Sequence, residues 1–274
     1  MINDTLGNLA FTCKPGRILL ITAIVVFILF TAASVFICFT TILPIDGVHF
    51  SGDVFIIYKT IALLMGIGIL LLSVAIYLSK KPIFSLYQNG IVSSFNAVEK
   101  KLYFDEIKDI YPYTSGKKLF MPNNIMFRGS DQDSWQVISP DYSNNIEALD
   151  FIIDQHASQY TPKIVEQLKN GEEVTFHYMN LQQKLLNQFF VVSNKSFQNI
   201  DSKSFRLFKD KIIKDDNVYH FDDFRRITLN TILNTINFIN YEGKIVLSFT
   251  HTLIFSRNTF MDAIREFNKE KVEF

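Results

Sequence analysis

The chain has 274 residues, and its 27 lysines and arginines are balanced by 27 aspartates and glutamates. A neutral chain lacks the basic field that nucleic-acid binding draws on, so no nucleic acid is expected as a partner. Two cysteines, Cys13 and Cys38, are too few for a disulfide framework. Charge is unevenly spread: before Ser79 only Asp4, Lys14, Arg17, Asp46, Asp53 and Lys59 carry it.

Taken in order, 1–17 reads as a short polar arm ending in Lys14-Pro15-Gly16-Arg17. Ile18–Leu43 is an apolar run closed by Pro44. It is longer than a signal-peptide core and no A-x-A-like site follows, so a retained span is expected. Ile45–Asp53 is a tight connection with two aspartates and no lysine or arginine. A second run begins at Val54, and its part Thr60–Leu78 holds nineteen residues without formal charge. As a helix that part reaches ~28 Å, close to the ~30 Å of a hydrocarbon core. Residues 18–82 therefore predict a two-helix transmembrane hairpin with spans at 18–43 and 54–78. Arg17, Lys80 and Lys81, with Lys14, flank it on one side. The positive-inside rule then places both termini in the cytoplasm, at the plasma membrane. Lys59 lies about one turn inside the apolar zone, where its stem can reach back to the headgroups. Gly66 and Gly68 suit close packing of the two spans and leave an oligomeric contact open. Cys13 is a juxtamembrane thiol, either acylated or simply free.

After Pro82 the period changes. Ile83–Tyr87, Ile91–Phe95 and Val98–Phe104 alternate as strands, with Gln88-Asn89-Gly90 as a turn. A short turn leads from Asp105 into a strand at Ile110–Tyr113. Asn124–Arg128 and Ser134–Ile138 form a hairpin around Gly129-Ser130-Asp131. Asn144 and Glu147 have capping-box spacing at the start of a helix. Thr161-Pro162 reads as the start of another, which Gly171 stops. A second run of strands opens with Glu173–Tyr178 and Phe189–Ser193 and ends in a helix from about Thr259 to Asn268, with Phe260, Met261, Ile264 and Phe267 on its apolar face.

The two stretches share a motif. Leu86-Tyr87-Gln88-Asn89-Gly90-Ile91-Val92 parallels Leu207-Phe208-Lys209-Asp210-Lys211-Ile212-Ile213. Tyr103-Phe104-Asp105-Glu106-Ile107-Lys108-Asp109-Ile110 parallels His220-Phe221-Asp222-Asp223-Phe224-Arg225-Arg226-Ile227. In each, an acidic pair caps a tight turn while the flanking apolar residues enter a core.

On these segments the region Ile83–Asn268 resembles bacterial pleckstrin-homology-like domains in tandem, behind a membrane hairpin. The resemblance implies 83–170 and 171–274 as two strongly bent, seven-stranded sheets, each closed by a C-terminal helix. The fold class expected is thus a transmembrane hairpin plus a mainly-β, α+β soluble region. It also implies a ligand site: eukaryotic members hold phosphoinositide headgroups with basic loop residues, and Lys209, Lys211 and Lys214 are the nearest counterparts by position. Lys100 and Lys101 offer a similar pair in the first copy. Against this, Asp210, Asp215 and Asp216 would offset the field of the second set.

Little points to catalysis. Gly66-Ile67-Gly68 lacks the third glycine and the strand–helix context of a nucleotide loop. No G-x-S-x-G elbow is present. His49, His156, His177, His220 and His251 occur singly, without metal-ligand spacing. Tyr111-Pro112-Tyr113, Phe120-Met121-Pro122 and Trp135 are either core or a partner surface. The expectation is a non-catalytic, membrane-anchored scaffold without cofactor or metal. Its partners would be the lipid bilayer, a protein or peptide, and anionic lipid. The alternative is a membrane immunity or assembly factor that works through its hairpin. A groove, if present, is expected beside Asn145–His156 or Thr259–Asn268. The topology is tested by single cysteines: Ser51→Cys should react with an impermeant thiol reagent from outside the cell and Ser115→Cys should not. The reverse pattern would invert the orientation.

Overall fold

A computed structural model describes residues 5–42, 52–115, 121–179 and 202–274. The chain divides into two compact units, Lys14–Ile83 and the remainder.

The smaller unit holds α1 (Ile18–Ile37), continued by a π-helical turn to Ile42, and α2 (Val54–Ser79). Both are long and apolar enough to cross a membrane, and only 11% of the most apolar window of each is buried. Their apolar side chains therefore face outward, the reverse of a soluble core helix. Where the helices meet, the residues are mostly small: Ala23 and Ser34 on α1, Gly68 and Ala75 on α2. A Cβ at Gly68 would lie 3.1 Å from Phe27 and 3.5 Å from Phe30, so glycine there sets how closely the helices approach. The Asp53 carboxylate caps α2 by accepting from the Phe55 N–H at 2.9 Å. The Lys59 ammonium lies over the Phe55 ring.

The larger unit contains the same series of elements twice. In the first copy β1 (Leu9–Cys13), β2 (Ile83–Tyr87), β3 (Gly90–Phe95) and β4 (Val98–Tyr103) form one antiparallel sheet in that order. A second sheet follows, of β5 (Asp109–Tyr113), β6 (Asn124–Arg128) and β7 (Gln136–Ile138), and then α3 (Asn145–Lys169). In the second copy β8 (Val174–Met179), β9 (Ser202–Leu207), β10 (Lys211–Lys214) and β11 (Asn217–His220) form the four-stranded sheet. Then come β12 (Phe224–Asn230), β13 (Thr235–Asn240) and β14 (Ile245–Thr250), and finally α4 (Arg257–Phe267).

The copies agree in detail. Phe104 N–H donates to Asn89 O at 3.0 Å, and Phe221 N–H donates to Asp210 O at 2.8 Å. Both acidic turns are single 3-10 turns, Phe104–Glu106 and Phe221–Asp223, with the acids exposed and the leading phenylalanine buried. The β3–β4 and β10–β11 hairpins turn through two left-handed residues, Asn96-Ala97 and Asp215-Asp216, as two-residue hairpin turns require.

Several elements differ from the sequence expectation. Part of the arm is a strand: β1 pairs with β2, Phe11 opposite Leu86 and Cys13 opposite Phe84. Its short run of alternating apolar residues acquires meaning only beside a partner on the far side of the hairpin. Cys13 is consequently sealed, and burial, with Glu147, pushes its thiol up to about 11. A thiol so placed is neither exposed nor ionised enough for acylation. Asn144 lies in the left-handed region, and its side chain makes no cap to α3.

The two helices expected around Thr161-Pro162 are one. Ile152, His156, Ile164 and Leu168 keep a buried stripe running past Pro162, which sits on the exposed face. Packing along that stripe outweighs the lost backbone hydrogen bond. Ala148, Leu149 and Ile152 belong to the first copy's core, while Ile164 and Leu168 belong to the second's. His156 Nε2 lies 2.9 Å from Ile107 O, and burial pulls its imidazole down to about 4, so it packs as a neutral group. The strand expected at Phe189–Ser193 lies outside the described residues.

Ile107 and Phe224 directly follow the two acidic turns and are 0% and 1% exposed. Truncating either to alanine should destabilise the protein by ~2–5 kcal/mol in denaturant unfolding, since both leave a core cavity. A cost below that range at one of them would show that the two positions are not equivalent.

Candidate functional site

The sequence-predicted lysines fall in different places. Lys100 and Lys101 are both exposed on β4; Lys100 shares the face of buried Leu102 and is held by Asp133 at 2.8 Å. Lys209 is exposed in the turn before β10, and Lys211 leans over the Phe208 ring. Arg17, Lys80 and Lys81 border the ends of α1 and α2.

Lys214 is different. Buried Ile212 precedes it by two residues, so β alternation aims Lys214 toward the same inner face. Lys203 stands in the same relation to Phe205 and Leu207, both 1% exposed. The two lysines therefore end the inward-facing rows of β9 and β10, at one mouth of the second copy. There they line a cleft of about 180 Å³ with Tyr178, Met179, Ser248, Phe249, Thr250, Leu253 and Ile254. The Lys214 ammonium lies 4.6 Å from the Phe249 ring centre and 5.5 Å from that of Tyr178.

Burial pulls the Lys214 ammonium below its usual value, and Lys203 adds to this while Asp215 opposes it. Among the described residues no carboxylate is within ion-pairing distance of Lys203 or Lys214. The Lys214 ammonium is partly buried and donates to Ser248 O at 3.4 Å, whereas Lys203 is exposed at the rim of the cleft. The repeat offset puts Pro82 and Ser93 at the corresponding positions of the first copy, so only the second has this chemistry. Lys203 was absent from the sequence-predicted set. Its signal was the alternation Lys203-x-Phe205-x-Leu207, legible only once β9 is known to start at Ser202.

A second polar cluster joins the copies. Asp109 on β5, 2% exposed, accepts from Arg128 Nε at 2.7 Å. His177 on β8 places Nδ1 3.2 Å from Asp109 and Nε2 3.6 Å from Asp131. This histidine, read as isolated from sequence, thus has two carboxylate neighbours from the other copy. Partial burial raises the Asp131 carboxyl, but Lys108, His177 and Arg128 together hold it below the usual carboxylate range. The donor atoms of Asp109, Asp131 and His177 lie within 4.8 Å of one another, the spacing of a metal site. However, the Arg128 guanidinium already contacts both carboxylates and Lys108 contacts Asp131. A divalent ion would have to displace Arg128, so the donor set fits an ion-pair network better than a metal centre.

The aromatic residues left open by the sequence are core. Tyr111, Tyr113 and Trp135 pack with Met126 and Val137 of the first copy and Met179, Leu253 and Phe255 of the second. Phe120 lies outside the described residues. The space beside the helices, lined by Ile153, His156, Arg257 and Asn258, is only about 10 Å³. The larger cleft is instead bounded by strands and the 3-10 turn His251–Leu253.

The chain is thus a mainly-β protein of several antiparallel sheets that carries two helices apolar enough to cross a membrane. It belongs to the family described as "Family of unknown function (DUF6585)", which matches residues 1–201. The matched part takes in both apolar helices, the whole first copy and β8. No curated protein matches the chain.

The joint between the copies yields a prediction. Arg128→Met should cost ~3–5 kcal/mol, because it strands the buried Asp109 carboxylate without its principal partner. Asp109→Asn in the same background should recover part of that loss in thermal unfolding. An additive double mutant would show that the pair does not couple.

Proposed function

We propose that this protein is a non-catalytic, membrane-anchored binding protein. In this reading α1 and α2 cross the bilayer as a hairpin, and the larger unit is a tandem pleckstrin-homology-like module. Four strands, three strands and a helix in each copy support that fold, with α3 and α4 as the closing helices. The β1–β2 pairing supports the hairpin. Strands on either side of the two helices can pair only if the chain returns to the side it left, which two crossings allow and one does not.

The ligand proposed is a phosphate-bearing headgroup held in the cleft of the second copy. The observation that carries this is the placement of Lys203 and Lys214 on inward-facing positions with no carboxylate partner among the described residues. Tyr178 and Phe249 form the apolar wall, and Ser248 and Thr250 complete the lining. An anion there would relieve the repulsion between the ammonium groups and gain charge-assisted hydrogen bonds.

The test is titration of the full chain in lipid nanodiscs with glycerophosphoglycerol and with inorganic phosphate, read by calorimetry. Lys203→Ala/Lys214→Ala should weaken binding by about tenfold or more, consistent with the loss of charge-assisted hydrogen bonds. Lys209→Ala/Lys211→Ala should leave it near wild type. Equal effects of the two double variants would refute the cleft as the site.

A further inference from the structure

The β12–β13 hairpin ends in Thr231-Ile232-Leu233-Asn234. Ile232 is 89% and Leu233 67% exposed, so two large apolar side chains stand adjacent in solvent at a strand tip. Single exposed apolar residues are common and need no explanation. This pair differs in two respects. The turn is held: Asn230 Oδ1 accepts from the N–H groups of Ile232 at 3.1 Å and Leu233 at 2.9 Å, and Asn234 O accepts from His251 N–H at 2.9 Å. The surroundings are also uncharged, since no ionisable acid or base occurs from Ile227 to Asn240. In a chain with as many acids as bases, a rigid apolar tip inside so long a charge-free stretch suits a medium that excludes charge.

The tip lies at the same end of the copy as the cleft. Thr235, just after it, is paired with Thr250, which lines the cleft, and Asn234 bonds the 3-10 turn that contributes Leu253. Lys203 and Lys214 are therefore at the end from which Ile232 and Leu233 project. Apolar side chains flanked by cationic ones match the two layers of a bilayer surface, with phosphates outside and acyl chains beneath. The partner is local, because Lys14–Arg17 and Lys80–Pro82 are the whole of the chain between the strands β1 and β2 and the two apolar helices. A short tether of this kind makes even a weak surface contact effectively intramolecular.

We infer that Thr231–Asn234 is a membrane-inserting tip, with Ile232 and Leu233 entering the boundary between headgroups and acyl chains. The inference goes beyond the anion cleft and rests on that reading only for the partner of the lysines. The test uses the full chain with Cys38→Ser, carrying a fluorophore on Leu233→Cys or Tyr241→Cys, in nanodiscs of phosphatidylcholine and phosphatidylglycerol. Tyr241 is exposed at the opposite end of β13 and serves as the reference. The Leu233 probe should be quenched by a lipid-borne nitroxide and shielded several-fold from iodide relative to Tyr241. Equal access of iodide to both sites would overturn the inference. So would shielding of Leu233 without nitroxide quenching, which would mean a protein surface or a second copy covers the tip. If the cleft fails its phosphate titration while Leu233 stays lipid-quenched, the tip stands and the cleft reading falls. A cleft that binds phosphate beside an iodide-accessible tip would mean the reverse.

Discussion

The pairing of β1 with β2 is the constraint on which the rest of the architecture depends. These strands are neighbours in one sheet, yet the whole of the smaller unit lies between them in sequence. Closing so long a loop costs conformational entropy that grows only slowly with length, and the sheet recovers it through hydrogen bonds and burial. Phe84 and Leu86 on β2 are fully buried, as is Cys13 on β1. The apolar helices are thus an insertion between two strands of a domain, joined to it at both ends. In the second copy the same connection, between β8 and β9, is made by residues 180–201.

The second organising element is α3, which has no core of its own. Its first half packs into one copy and its second half into the other, and Pro162 marks the changeover on the solvent side. Around it the joint is made by specific polar contacts rather than apolar area alone. Ser256 Oγ donates to Lys108 O at 2.9 Å and accepts from Ile110 N–H at 3.1 Å. Its own N–H donates to Ile110 O at 2.7 Å. With Asp109, Arg128 and His177 beside them, these contacts specify one arrangement of the copies. Buried polar groups of this kind tolerate few alternative partners, since a shifted joint would leave several unsatisfied.

Divergence between the copies is concentrated at their mouths. The turns, the hairpin conformations and the helix-preceding left-handed residues Asn144 and Ser256 repeat. The positions of Lys203 and Lys214 do not: Pro82 and Ser93 stand there in the first copy. Core positions are constrained by packing in both, whereas a residue at the mouth is not. Of the basic residues that drew attention in sequence, Lys101 and Lys211 proved to be on outer faces and Lys209 on a turn, while Lys100 shares the row of buried Leu102 but is paired with Asp133. A lysine on a turn and a lysine pointing along the core row look alike until the strand register is known.

By itself the sequence determined where the apolar helices lie, most strand positions of the first copy, and the duplicated turn. Each of these rests on local physics: an uninterrupted apolar run, a period of two, or an acidic pair beside buried aromatics. What only the tertiary structure decided involves residues far apart in the chain. β1 is a strand because β2 lies beside it, α3 is continuous because two cores hold it, and His177 meets Asp109 because the copies dock. Lys203 and Lys214 become a pair only when β9 and β10 align. The physical reason is the same in every case: the decisive partner is beyond the reach of any local window, so its contribution appears only when the chain has closed on itself.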